Sequence, residues 1–571
     1  MLLNRVFPLT RNRFSHVACL VLLCCLAVIR VNAQAAPYAS VSADGRAAVA
    51  SVNPLATKVG MDILAKGGNA VDAAIAVAFA LGVVDSHNSG IGGGCFILVR
   101  TSKGEILAID GREMAPAAAH RDMYLKNGEY RAELSKTGAL AVGVPGSVKA
   151  LYELQQRAGT LSFANLIQPS IPLAEHGFAV DAVLAARLQR TAGALAQFPD
   201  SAKIFLPDGK PLKQGQMLVQ KDLARTYSAL AKQGPTYFYR GQFAKSLVKW
   251  MEGHGGLITR KDMRDYHLVM REPLRSAIGD YELVGFPPPS SGGIHVAQIL
   301  TMLNVVKAPE LNEVARYHAI IEASKLAFAD RAYWLGDADY VKVPRGLIDD
   351  AYLRQRAALI DINKASGEQS AGLPPNHETE IFGKHTTHIA TADKAGNWVA
   401  ITTTLNTSFG SKVTVPGTGV LLNNQMDDFS AQPGAPNAFG LVGSERNAIA
   451  AGKRPLSSMS PTLVLKNGAP VMTVGAAGGP TIISQVAQTL FNALYLGMPL
   501  QEAMRAPRVH HQWKPQQGFI DDFAEPALRE ELKKLGHDLR VWPAFGATQA
   551  ILLNAKGSLE AEAEPRIQTA K

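Results

Sequence analysis

Residues 386–406 read TTHIATADKAGNWVAITTTLN, and the fold turns on how this stretch is read. Residues 386–392 and 398–404 are rich in β-branched and apolar side chains, and 393–397 form a turn cluster around Gly396. The pattern predicts a β-hairpin. Folded symmetrically about Ala395, the hairpin sets Thr386 opposite Thr404, with Asn406 just past the strand end. Two hydroxyls and a carboxamide then converge at its mouth, in a register that a bulge would shift. Because Thr favours strands in any case, one facing pair is not yet a site.

The chain opens on Arg5, Arg11 and Arg13, followed by an apolar run over residues 17–29, then Arg30 and small residues at Ala33, Ala35 and Ala36. Thirteen apolar residues fall within the range of about 7–15 for a signal peptide and are too few to span a bilayer. Residues 1–33 are therefore expected to be removed, with an uncleaved anchor as the alternative. No clear lipobox precedes Cys19, Cys24 or Cys25. Of four cysteines only Cys95 would remain, so no disulfide can form within one chain although the compartment, periplasmic or extracellular, is oxidising. A large enzyme with its own core fits that composition.

The formal charge of +10 falls to about +6 once the signal arginines leave. No basic run with interleaved aromatics supports nucleic-acid binding; mild basicity suits anionic small substrates or an acidic cell surface. Length alone would suggest three or four domains, yet no linker divides the chain. The loosest interior stretch, residues 361–384, ends just before Thr386 and reads as an exposed, cleavable segment.

Asn53-Pro54 predicts a helix to about Ala65, and Asn69 caps a very apolar, buried helix over 70–83. HNSGIGGGCFILV, residues 87–99, has the glycines of a nucleotide loop, but they precede a strand over 95–100 where a phosphate loop would open a helix. A tight backbone approach is the better account. Arg112, in DGREMAP, follows a strand-like run; it is either a solvated charge or a guanidinium fork for a carboxylate. Residues 146–332 alternate amphipathic helices with short strands and read as scaffold, including the rigid turn PPPSSGGIH at 287–295.

There is no HExxH, CxxC or GxSxG motif. His385 and His388 would point to opposite faces of a strand, and His510-His511 meet the same objection, so no metal is expected. No cofactor is expected either, which leaves a hydroxyl nucleophile. Downstream, LLNNQMDDF supplies Gln425, Asp427 and Asp428, PLSSMSPT supplies Ser457 and Ser458, and VGAAGGP brings Gly478 and Gly479 to a strand–helix junction. Glycine N–H groups there suit an oxyanion, Asp428 and Gln425 an ammonium, and the serines with Arg112 a carboxylate. Together they describe a pocket for an α-amino-acid head with a nucleophile beyond it.

These motifs, with TTHIATADKAGNWVAITTTLNTSFG, KRPLSSMSPT, APRVHHQW, DGREMAP and SGIGGG in order, resemble the γ-glutamyltransferases (γ-glutamyltranspeptidases) of the N-terminal nucleophile hydrolase superfamily over nearly the whole mature chain. The resemblance implies an α+β fold, a four-layer αββα sandwich with two antiparallel sheets inside. It implies self-cleavage at His385–Thr386 into a large subunit of residues 34–385 and a small one of 386–571, held as a heterodimer. Thr386 would be the nucleophile and Thr404 its orienting partner. Asn406, Gln425 and Asp428 would hold the substrate α-amino group, Arg112, Ser457 and Ser458 its carboxylate, and Gly478 and Gly479 the oxyanion. Glutathione and related γ-glutamyl compounds would be donors, and water, amino acids or peptides acceptors.

The chain departs from the family's usual pattern at Ala390 and Thr391, at His385, where Gln is familiar, and at Phe439, where relatives with a lid often carry Tyr. Phe439 lacks a hydroxyl to reach Asn406, which bears on the balance of transfer against hydrolysis. Two rival readings stand beside this one. A cephalosporin or glutaryl acylase would share the fold but not the need for Gln425 and Asp428; a non-enzymatic periplasmic amino-acid-binding protein would stay one intact chain.

Overall fold

The hairpin forms in the expected register. In the computed structural model, which describes residues 37–375, 387–432, 434–543 and 545–568, the strands Thr387–Ala392 and Trp398–Thr404 pair antiparallel with Thr387 against Thr403 and Ala392 against Trp398, without a bulge. The signal-like segment 1–36, the bond between His385 and Thr386, and Thr386 itself lie outside the described residues.

Every side chain of both strands is buried, which is why the hairpin lacks a polar face. Ile389, Val399 and Ile401 point into one apolar cluster and Ala390, Ala392, Trp398 and Ala400 into another, the period-2 alternation of a strand covered on both sides. The hairpin is the centre of a seven-stranded antiparallel sheet in the order Ala39–Val41, Ala48–Ala50, Thr387–Ala392, Trp398–Thr404, Gly94–Arg100, Ile106–Gly111, Val269–Arg271. A second antiparallel sheet of six strands runs Leu274–Ile278, Tyr281–Gly285, Thr462–Lys466, Ala469–Ala476, Thr548–Leu553, Leu559–Ala563. Between the sheets Phe96 stacks on Phe286 at 4.3 Å, and Leu98, Trp398, Leu463 and Ile551 fill the rest.

Helices close both outer faces. The first sheet is covered by Pro54–Ala65, whose N-cap is Asn53, and by Ala70–Val84, whose Asn69 and Asp72 form a capping box. The latter is buried at every position, as its uninterrupted apolar sequence requires. The second sheet is covered by Gly292–Val305, Glu313–Trp334 and Thr481–Leu490, the last running on as a π-helical turn over Phe491–Tyr495. This is the αββα sandwich, and Tyr38–Lys571 is one compact unit. Length misleads about domain number here because a single double-sheet core takes strands from both ends of the chain.

The glycines of SGIGGG serve close approach. A Cβ on Gly93 would run into the Thr404 carbonyl oxygen and one on Gly92 into that of Leu421, so the Gly94–Arg100 strand can lie tight beside the hairpin mouth.

The loose stretch is corrected in part. Residues 361–375 carry no regular element, yet they are strapped down. Ala365 N–H donates to Leu535 O at 2.7 Å, Trp513 Nε1–H to Gln369 O at 2.6 Å, Arg356 to Ser370 O at 3.0 Å and Trp334 Nε1–H to Gly372 O at 3.0 Å. Polarity and glycine content mark missing regular structure, not missing hydrogen bonds. Residues 376–384 lie outside the described residues.

Candidate active site

Arg112 leaves the end of the Ile106–Gly111 strand, where its backbone N–H is held by Asp110 Oδ1 at 3.0 Å. It is 0 % exposed, so the solvated-charge reading is wrong. Its Nη2 donates to Asp428 Oδ2 at 2.7 Å and its Nη1 to Glu113 Oε2 at 3.2 Å. The 3₁₀ turn Gln425–Asp428 puts Gln425 and Asp428 on one side, and Gln425 Nε2 donates to the same Oδ2 at 2.5 Å. Asp427 turns the other way, accepting from Ser135 Oγ at 2.6 Å and Ala438 N–H at 2.9 Å. The fold thus separates two adjacent acids into one that faces Arg112 and one that anchors the loop carrying Phe439.

Ser457 is held by a partner the sequence did not suggest. Ser290 bridges Ser457, and Ser291 donates to Ser457 O from its N–H at 3.1 Å and its hydroxyl at 2.6 Å. Arg331, buried on the Glu313–Trp334 helix, donates from Nε to Ser291 Oγ at 3.1 Å. Burial pulls the Arg331 guanidinium down to about 10, against the opposing pull of Asp428. The region read as scaffold therefore supplies Ser291 and Arg331 to the site. The SSGG turn was visible; that it docks on Ser457 is a long-range fact.

Asn406 sits just beyond the hairpin with φ +80°, a backbone region that Asn tolerates better than most residues. Its N–H donates to Thr404 Oγ1 at 2.7 Å and its Nδ2 to Asn424 O at 3.0 Å. Four buried atoms of the expected head-binding residues find no hydrogen-bond partner among the described residues: Arg112 Nε, Asn406 Oδ1, Gln425 Oε1 and Ser458 Oγ. Native interiors leave few such atoms, so a polar ligand is the natural completion.

Gly478 and Gly479 follow the Ala469–Ala476 strand with φ +130° and +63°. Thr481 Oγ1 holds Gly478 O at 2.8 Å, and Gln485 Nε2 holds Ala477 O at 2.9 Å. Among the described residues no acceptor takes the N–H of either glycine. Phe439 lies against Gly479, where an added Cβ would come within 2.8 Å of its ring. Asn406, Phe439 and both glycines line a cleft of about 730 Å³.

Asp85, at the C-terminal end of the Ala70–Val84 helix, also lines this cleft and was not singled out from the sequence. Thr387 Oγ1 lies 3.5 Å from its Oδ2, and Asn88 Nδ2 donates to its Oδ1 at 2.9 Å. Burial pushes the carboxyl up to about 8. His388 points between the sheets, 3.0 Å from Thr402 Oγ1 and against Gly475, and burial holds its imidazole down at about 3. His510 shares a 2.7 Å hydrogen bond with Ser484 Oγ. Neither histidine faces the cleft.

A separate cluster of His318, Glu322 and His537 brings potential ligand atoms within 4.8 Å of one another. These groups already satisfy each other. His318 Nδ1 and His537 Nε2 are 2.7 Å apart, and the Lys325 ammonium donates to Glu322 at 2.7 Å. Glu322 also holds Ser366, so the cluster straps the 361–375 segment.

The family model for gamma-glutamyltranspeptidase matches residues 56–571. The chain belongs to the gamma-glutamyltranspeptidase family. It is 43% identical to the glutathione hydrolase proenzyme of Escherichia coli (strain K12), over 91% of this chain and 90% of that one. It is also 38% identical to the acylase ACY 1 proenzyme of Pseudomonas sp. (strain SE83), over 90% and 91%. The cephalosporin acylase from Bacillus halodurans has the same fold, with a TM-score of 0.81 at 29% identity, covering 91% of this chain and 94% of that one. The family and its N-terminal nucleophile hydrolase fold are thereby settled. Because members of this fold group carry both hydrolase and acylase names, the choice of acyl group rests on the site.

Proposed function

We propose that the chain is a self-processing γ-glutamyltransferase and hydrolase acting on glutathione and related γ-glutamyl amides. One observation carries the reading. Beside the buried Arg112–Asp428 ion pair, the expected head-binding residues leave buried polar atoms without hydrogen-bond partners among the described residues: two acceptors, Asn406 Oδ1 and Gln425 Oε1, the Ser458 hydroxyl and the Arg112 Nε–H. A zwitterionic α-amino-acid head matches that set. Its ammonium takes Asp428 Oδ, Asn406 Oδ1 and Gln425 Oε1, and its carboxylate takes Arg112, Ser457 and Ser458. A glutaryl chain would leave the acceptors unmet, at a cost of about 1–3 kcal/mol for each buried group.

The chemistry follows in two stages. The Thr386 hydroxyl attacks the His385 carbonyl, an N→O shift gives an ester, and water hydrolyses it, yielding subunits of residues 34–385 and 386–571. The freed α-amine, with an ordinary pKa of about 7.7–8.0, serves as base for the Thr386 hydroxyl. Thr404 Oγ1, fixed by the Asn406 N–H, orients that hydroxyl. Attack on the γ-carbonyl places the developing oxyanion at the Gly478 and Gly479 N–H groups, and the amine leaves with a proton. Water resolves the γ-glutamyl ester to glutamate; an amino acid or peptide amine resolves it by transfer. No residue in this scheme needs a metal or cofactor. Removal of residues 1–33 and delivery to the periplasm or medium complete the proposal. Among the described residues no helix is long and apolar enough to cross a membrane.

The acylase reading has support in the named relatives. A paired assay with γ-glutamyl-4-nitroanilide and glutaryl-4-nitroanilide separates the two, beside Thr386→Ala. Wild type should run as two bands and prefer the γ-glutamyl donor, and the variant should stay one inactive chain. Preference for the glutaryl donor, or cleavage of the variant, would overturn the assignment.

A further inference from the structure

The cleft that reaches Gly478 and Gly479 meets the proposed amino-acid head cluster at Asn406 alone. Asn406, Phe439 and the glycines line it, but Arg112, Gln425, Asp428, Ser457 and Ser458 do not. From the glycines it extends the other way, under the N-terminal part of the Ala182–Leu195 helix and past Asp85 and Trp542. Under the proposed reaction the acyl head lies on one side of the oxyanion glycines, so this space is the side from which the leaving amine departs and the acceptor amine arrives.

Two guanidinium groups face that space. Arg187 and Arg190, three apart on the helix and so on one face, both line the cleft. Arg187 is half-buried, and among the described residues no carboxylate lies within ion-pair distance of either side chain. The Arg187 Nε is buried without a hydrogen-bond partner among the described residues. Nearby acids do not pair with it directly. Asp181 caps the helix, its Oδ1 accepting from Leu184 N–H at 2.7 Å, and Asp85 attracts Arg187 from beyond ion-pair distance while its Oδ1 accepts from Asn88. Arg566, on the same cleft, is tied to Asp521 and Glu564. A buried guanidinium N–H without an acceptor is costly unless a ligand completes it, and an anion does so best.

We propose that Arg187 and Arg190 form a carboxylate subsite for the leaving group and for the acceptor, selecting γ-glutamyl peptides and acceptor peptides that end in a free carboxylate. The inference rests on the γ-glutamyl reading and extends it to the other side of the scissile bond. The leaving amine of a peptide donor and the incoming amine of a peptide acceptor occupy one place, so the same pair reads both. Neither arginine takes part in bond making, and their effect lies in substrate choice.

Two donors differing by one carboxylate test it, γ-glutamyl-4-nitroanilide and γ-glutamyl-3-carboxy-4-nitroanilide, assayed on the processed enzyme. The ratio of their kcat/KM values should favour the carboxylated donor about tenfold in wild type. It should fall toward one in Arg187→Gln, be partly kept in Arg187→Lys, and drop severalfold in Arg190→Gln, where the exposed position leaves folding untouched. Rising salt should lower the wild-type ratio. A wild-type ratio at or below one, or a ratio within twofold of wild type in both Gln variants, overturns the subsite. Turnover of neither donor by wild type would instead remove the γ-glutamyl reading on which it stands.

Discussion

Arg112 Nη2 and Asp428 Oδ2 stand 2.7 Å apart with both side chains fully buried, although 316 residues separate them in the chain. Under the proposed function, a substrate head that carries both charges would split this ion pair. Replacing Asp428 leaves the buried Arg112 guanidinium with Glu113 still at its Nη1. Asp428→Ala should therefore destabilise the chain, by less than the about 3–5 kcal/mol that a fully unpaired buried charge costs. Asp428→Asn, which keeps the shape and loses the charge, should raise KM for the γ-glutamyl donor by one to two orders of magnitude. Thermal melts and steady-state kinetics check the pair, and an unchanged KM in Asp428→Asn would count against ammonium recognition there.

Gly478 has φ +130°, and a Cβ would meet Thr481 Oγ1 and come within 3.0 Å of Gln485 Nε2. Gly478→Ala must shift the peptide that presents the N–H. Loss of one oxyanion donor costs about 2.7–4 kcal/mol, so kcat should fall about 10²–10³-fold. Pre-steady-state kinetics on γ-glutamyl-4-nitroanilide would place the loss in the acyl-transfer steps. Near-normal acylation would move the oxyanion site elsewhere.

Phe439 packs on Gly479, and its loop is held by Asp427 at Ala438 N–H. Phe439→Tyr adds a hydroxyl at the wall of the cleft that Asn406 also lines, where Asn406 Oδ1 has no hydrogen-bond partner among the described residues. Water access to the ester should drop, raising the transfer-to-hydrolysis ratio severalfold with glycylglycine as acceptor. Product analysis by chromatography reads this directly, and an unaltered ratio would show that Phe439 is wall only.

Asp85 gives a pH dependence of stability. Its carboxyl is raised by burial to about 8 in the fold, against about 3.9 unfolded. The folded chain binds the extra proton, so this contribution is complete below the unfolded value and is lost as pH rises through the folded one. Melting temperature should fall between about pH 4 and 8, and Asp85→Asn should flatten that fall by a few degrees, on the order expected for a kcal/mol-scale effect in a large domain. Melts in a Thr386→Ala background, where one chain unfolds, supply the comparison; parallel pH profiles would show that Asp85 does not titrate this way.

The sequence by itself determined the local pieces. Strand alternation and one turn cluster set the hairpin register, because a slip by one residue would exchange Ile389 and Val399 for their neighbours on the other face. Asn53 and Asn69 marked helix starts, because their side chains satisfy N–H groups that a helix cannot. Residue types also named the groups that the proposed function assigns to an amino-acid head. The tertiary structure decided everything that depends on a distant partner. It buried Arg112 and paired it with Asp428, docked Ser291 on Ser457 and Arg331 on Ser291, turned Asp427 away from Arg112, tied down residues 361–375, and left Arg187 facing the cleft with its Nε unmet among the described residues. Periodicity reports which face of an element is apolar. It carries no record of which other element covers that face, and a buried charge takes its meaning from that neighbour.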